Sequence, residues 1–217
     1  MCLAKMAKGK CSFLHTFDYL LYTRIELFLT QNIFSFTALI TTPTYSVMDE
    51  NEAVILDFHC LLDDVGNRIV KELSVMDVTR FAKRHWIFKP PLYESVTTKK
   101  HCITNRWLTQ HYHGLSWDEG ETPYEDLLTI LTKHTCGYKY VFVKGLQKKQ
   151  LLHEYIIHNC IKNLEDFGCP KITDLPHYHG TVCLRHHDNP IACTDHRVYA
   201  LREWMMNDFQ IFYLFLH

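Results

Sequence analysis

The chain has 217 residues, 47% of them hydrophobic and 22% charged, enough for one α/β domain with tails and too apolar for a disordered chain. Lys+Arg is 23 against Asp+Glu 24, so the net charge of −1 excludes a globally basic nucleic-acid binder; any basic surface must be local. Fifteen His and nine Cys are many for this length. No signal peptide opens the chain, which leads us to expect an intracellular (cytoplasmic or nuclear) protein with free or metal-bound thiols rather than disulfides.

Residues 1–47 are rich in Phe, Leu, Tyr and Thr and show no helical or strand period. They read as an atypical extension, either poorly ordered or mis-assigned to the chain, or as an extra helix packed on the domain. Their most apolar part, Ile25–Ile40, carries Glu26, Gln31 and Asn32 and falls short of the ~20 apolar residues that a membrane span needs. No membrane partner is therefore expected. The domain is placed at residues 48–206, and the aromatic tail at residues 207–217.

Within the domain, Ala53–Phe58 reads as a buried strand and Leu61–Asn67, with Asp63, Asp64 and Gly66, as a turn. Arg68–Asp77 alternates Ile69, Lys71, Leu73 and Val75 as a second strand. Trp86–Phe88, before Pro90-Pro91, reads as a short third strand. Lys100–His111 has no decisive period. A helix is predicted from Pro123 through His134, a strand over Tyr138–Val143, a helix over Lys148–Leu164, and a last helix over Tyr199–Met206. A hairpin followed by a βα run predicts a mixed sheet flanked by helices.

Two constellations carry chemistry. The first is Asp57-Phe58-His59 near the end of the first strand, with Gln150 in the helix after Val143 and His196…Leu201 on the last helix. This pattern, over Ala53–Met206, resembles the DEDDh exonucleases of the RNase H-like class. That resemblance implies carboxylates where His59, Gln150 and Leu201 stand, while Asp57 and His196 match. Two-metal phosphoryl chemistry needs carboxylates that hold two ions about 3.5–4 Å apart. Three missing acids therefore argue against a conventional exonuclease, although Asp57 and His59 remain catalytic candidates. Lys144, Lys148 and Lys149 lie where the resemblance implies a substrate groove, with Lys99, Lys100 and Arg106 as additions. They are candidate contacts to single-stranded RNA or DNA, or simply solvated helix starts.

The second constellation is Cys183-x₂-His186 followed, after six residues, by Cys193-x₂-His196. Two such pairs can close a tetrahedron around Zn²⁺. Cys169 is a fifth candidate, and His177, His179 and His187 are in reserve. The alternative is surface histidines and buried thiols. With the nuclease-like frame, Cys183, His186 and Cys193 resemble the Maelstrom domain. That resemblance implies an RNase H-like fold, a zinc site of Cys, His and Cys with a Glu, and a role in small-RNA silencing of transposons. It leaves the fourth ligand open, with His59, Cys60 and Cys169 competing. His113–Asp118, Tyr140–Gly145 and Gly168–Pro170 are also similar to an uncharacterised arthropod group related to mobile elements or viruses, which implies no activity.

Two functions follow as expectations. One is a zinc-pinned RNase H-like module that binds nucleic acid without two-metal cleavage. The other is a Mn²⁺- or Mg²⁺-dependent nuclease using Asp57, His59, His196 and Asp195 or Glu203.

Overall fold

The computed structural model describes residues 52–91, 98–157, 160–176, 183–186 and 189–207. The extension 1–47, the tail beyond Asn207, and His177, His179 and His187 lie outside the described residues. The described chain is an α/β fold: β1 (Ala53–Leu62), β2 (Arg68–Asp77), β3 (Lys83–Ile87), α1 (Lys99–Leu108), α2 (Leu127–Thr135), β4 (Tyr140–Val143), α3 (Leu146–Tyr155), β5 (Ile161–Asn163) and α4 (Thr194–Asn207). The sheet order is β3-β2-β1-β4-β5. The first three strands run antiparallel and β4 and β5 run parallel to β1. Among the described residues no helix is long and apolar enough to cross a membrane.

The strand period of two divides the sheet into faces. Val54, Leu56 and Phe58 of β1 pack with Leu73 and Val75 of β2 and with Leu127, Leu131, Leu151 and Leu152. Ala53, Ile55 and Met76 pack on the opposite face with Val198, Leu201 and Met205 of α4. By that alternation Asp57, His59, Glu72 and Ser74 share the α4 face, and all four are buried. A polar strip thus continues the α4 core toward one end of the sheet.

Two sequence expectations are corrected. The helix predicted over Lys148–Leu164 ends at Tyr155, and Ile161–Asn163 pairs with β4 as an edge strand. A three-residue strand is too short to show a period of its own after a helical run. The predicted alternation Ile69, Lys71, Leu73, Val75 is also broken. The β1–β2 register slips between His59 and Cys60, so that His59 pairs with Glu72, Cys60 with Val70, and Lys71 is the extra residue of a bulge. Val70 consequently joins the same core as Leu73 and Val75. The region of uncertain period around Lys100–His111 is helix α1 running into a π turn, Thr109–His113.

The fully buried Lys71 ammonium donates to the carbonyls of Phe88 (2.7 Å), Trp117 (2.8 Å) and Glu119. Burial, against the pull of nearby Glu119 and Asp118, lowers its pKa to about 8. The loop it gathers runs close against β3's exit: a Cβ on Gly120 would meet the Phe88 backbone at 2.4 Å, which only glycine avoids.

Candidate metal centre

Four side chains converge at the bulged end of the sheet. Glu72, Cys183, His186 and Cys193 each place one ligand atom within 4.8 Å of all the others. Glu72 comes from β2, one residue past the bulge. Cys183 and His186 sit on a tight turn in which the His186 N–H donates to the Cys183 carbonyl, at 3.0 Å. That turn explains why a two-residue gap brings both ligands to one point. Cys193 stands at the mouth of α4, its carbonyl accepting from the Arg197 N–H at 3.1 Å.

The separations suit a single ion. Cys193 Sγ lies 3.6 Å from Cys183 Sγ and 3.7 Å from Glu72 Oε1. His186 Nδ1 lies 3.5 Å from Glu72 Oε1 and 2.9 Å from Cys183 Sγ. A tetrahedron with metal–sulfur bonds of about 2.3 Å and metal–nitrogen or –oxygen bonds of about 2.0 Å has edges of roughly 3.3–3.8 Å. Three of these four separations fall in that range, and the fourth is shorter. The group can therefore hold a metal, and its donor set is consistent with zinc.

The surroundings orient the ligands. His186 Nε2 donates to the His113 carbonyl at 2.6 Å, which leaves Nδ1 as the lone-pair atom facing the cluster. The Glu72 carboxylate receives His85 Nε2 at 2.7 Å and the Thr194 N–H at 3.4 Å. Ser74 and Thr194 hydroxyls pair at 2.8 Å beneath it. Glu72 is wholly buried, and among the described residues its charged neighbours are histidines only. A buried carboxylate without a cation is costly, and a divalent ion would remove that cost. The Cys193 thiol donates toward Cys183 and, against burial, makes Cys183 the more acidic of the two; the same bond and burial push Cys193 up. Burial works against a charged His186, but the Cys193 bond and the Glu72 charge raise its pKa overall.

Cys169 and His196 are outside this group. Cys169 is packed in the α4-side core, its Sγ 3.7 Å from the Pro170 carbonyl. His196 is buried in the first turn of α4, one turn past Cys193. Of the competitors for the fourth position, His59 contacts the cluster from outside, 3.8 Å from Glu72 Oε2, with its Nε2 donating to the Ala192 carbonyl at 2.7 Å. Cys60 lies at the edge of the opposite core. The candidate ligand missed in the sequence is Glu72. Its one trace was an acid in the middle of a largely apolar strand.

Asp57, two residues before His59 on the same face, is also buried. Lys148 of α3 pairs with its Oδ1, and Arg197 of α4 stands 3.8 Å from its Oδ2. Among the described residues Asp57 belongs to no metal-holding group. Asp195 pairs with Lys83 at 2.6 Å, and Glu203 with Arg202 at 2.8 Å. Leu201 is core and Gln150 is exposed. Burial first, then the Arg197 and Lys148 charges, hold the His59 pKa well below its usual value. The lysine set is divided: Lys148 is committed to Asp57 and Lys144 to Glu165 at 3.1 Å, whereas Lys149 is half-buried at the solvent side of α3. No protein-family model and no curated protein matches the chain.

Proposed function

We propose that this chain is a zinc-holding module of the RNase H-like, Maelstrom-like kind that binds RNA and does not cut it by two-metal chemistry. The observation that carries the reading is the meeting of Glu72 with Cys183, His186 and Cys193. The resemblance implied a Glu beside Cys, His and Cys, and Glu72 supplies an acid at that place from a distant strand. All four positions come from the protein, the pattern of a structural ion rather than a catalytic one with an open position. When bound, zinc would contribute folding energy and tie the loop before α4 to β2.

The frame is supported by the antiparallel hairpin that leads into parallel βα units. Loss of nuclease chemistry is supported at Asp57. Two protein cations occupy the surroundings where metal ions would have to stand, and the remaining candidate acids are paired elsewhere. The role that fits is recognition in nucleic-acid silencing of mobile elements or viruses.

The test is elemental analysis of the purified chain with thermal melts before and after chelation. The expected result is about one zinc per chain and a melt that collapses on chelation and returns with Zn²⁺. A metal-free chain with an unchanged melt would remove the zinc reading. Manganese-dependent cleavage of RNA that disappears in Asp57→Ala would replace the binding module with a nuclease.

A further inference from the structure

The cations around Asp57 and the metal group are bound to partners within the fold, so they are poor candidates to take up a ligand. A different surface has the opposite character. From Thr98 to Trp117 the chain has no acidic residue, and helix α1 carries Lys99, Lys100 and Arg106 on its exposed side. Among the described residues these three make no ion pair. Beside Arg106 on the same helix stands Trp107, 55% exposed, where Trp117 of the following loop is only 4% exposed. Ile103, one turn before it, is 58% exposed, and the His111 ring lies 5.6 Å from the Trp107 ring.

The helix is fixed from its other side. Asn105, its one fully buried residue, accepts from the Leu62 N–H and donates to the Leu62 carbonyl, both at 2.8 Å, like an added strand residue at the end of β1. This pairing holds the exposed face rigidly outward. Beyond His111, the half-open Tyr112 leads into a small cleft of about 160 Å³ that Arg68 and Lys148 also line.

We propose that this face of α1 is the seat of a single-stranded RNA, with Trp107 as a base-stacking platform and Lys99, Lys100 and Arg106 as phosphate contacts. The inference rests on the RNA-binding reading above and gives it a location. An exposed indole flanked by unpaired cations fits an unstacked base and its phosphates, because every base offers a π-face and each neutralised phosphate releases counterions. A duplex presents no free base face to the ring. His111 places an exposed ring beside the indole, where a 2′-hydroxyl can exchange a hydrogen bond with it.

The experiment is fluorescence anisotropy of an end-labelled, mixed-sequence, single-stranded RNA of roughly 12 nucleotides against the metal-loaded full chain. Trp107→Ala is expected to weaken binding about tenfold or more and Trp107→Phe much less. The pair Lys99→Glu/Arg106→Glu is expected to weaken it and flatten the salt dependence. Melts of these variants should match the parent, since the altered side chains are exposed. If the parent binds RNA and Trp107→Ala binds equally well, the α1 face is wrong while the RNA reading stands; loss in Arg68→Ala or Lys149→Ala would then move the seat toward α3. If the parent binds no RNA, both fall. Equal affinity for DNA of the same sequence, or for duplex, overturns the assignment to single-stranded RNA. Self-association that Trp107→Ala abolishes would assign the face to a second copy instead.

Discussion

Two buried carboxylates stand on neighbouring strands and on the same face of one sheet, and they are neutralised in different ways. Asp57 of β1 is met by Lys148 and Arg197, cations belonging to the chain. Glu72 of β2 is met by two cysteines and by histidines, none of which is a permanent cation. A buried charge must be paired, and the two surroundings therefore ask for different things. Around Asp57 the countercharge comes from within the fold, although Oδ2 makes no hydrogen bond among the described residues, and a metal would have to displace two cations. Around Glu72 the pairing rests on titratable histidines, His85 among them, and on thiols that could hold an ion. The difference shows how one sheet face can answer two buried carboxylates in two ways, one with the chain's own cations and one with a group that could hold a metal.

The largest effect that tests this contrast is expected at Cys193→Ser. Removal of one buried ligand should reduce the metal content to near zero. It should lower the melting temperature by about 10 °C, taking a loss of roughly 3–5 kcal/mol and about 2–4 °C per kcal/mol at this size. Inductively coupled plasma mass spectrometry and calorimetry measure both. Glu72→Gln should weaken zinc retention in the same direction, and unchanged affinity there would mean that the carboxylate is not a ligand.

Acid should separate the halves next. Burial first, then the charges of His186 and Arg197, lower the His113 pKa to about 4, and His59 lies well below its usual value. For a histidine held neutral, the unfolded chain binds the extra proton first. Stability is therefore complete above about pH 6.5 and falls as the pH drops from there toward 4. For His113 the loss approaches about 3 kcal/mol at the bottom of that range. Melts of the zinc-loaded chain between pH 7.5 and 4.5, with zinc content measured at each pH to separate it from zinc release, follow this loss; a shallower profile in His113→Gln would assign it.

Asp57→Asn is expected to cost about 2 kcal/mol, since Arg197 is buried but Lys148 keeps some contact with solvent. It should leave the zinc stoichiometry at the parent value. A fall in zinc content in this variant would show that the two carboxylates are one site. The smallest effect belongs to Arg185→Ala. This residue links the metal loop to Glu119 and Glu121, but all three partners are partly exposed, so urea titration should show less than about 1 kcal/mol.

Much of the scaffold was legible in the sequence. The Leu61–Asn67 turn between two apolar runs marked the hairpin, although Leu61 and Leu62 prolong β1, and of Leu127, Leu128 and Leu131, read as one helix face, Leu127 and Leu131 are buried and Leu128 is exposed. What the sequence hid depends on partners far along the chain. The bulge at Lys71 looks like ordinary alternation until the β1 register is known. β5 is three residues long and exists because β4 offers it an edge. At the metal group, Cys183, His186 and Cys193 were visible because they are local and regularly spaced. The second C-x₂-H pair was misleading because Cys193 and His196 straddle the start of a helix instead of sharing a turn. Glu72 was invisible for the converse reason: its spacing to the other ligands is set by the sheet, not by sequence.

That distance along the chain also gives the metal group a timetable. During synthesis β2 emerges well before Cys183, so the nascent sheet carries the Glu72 carboxylate for a time with no thiolates beside it. Closing so long a loop is entropically costly, and a bound ion would compensate only once both ends are present. The α4 face is therefore the last part of the domain to become dry. Until it does, the strip of Asp57, His59 and Glu72 lacks its cover and is open to water.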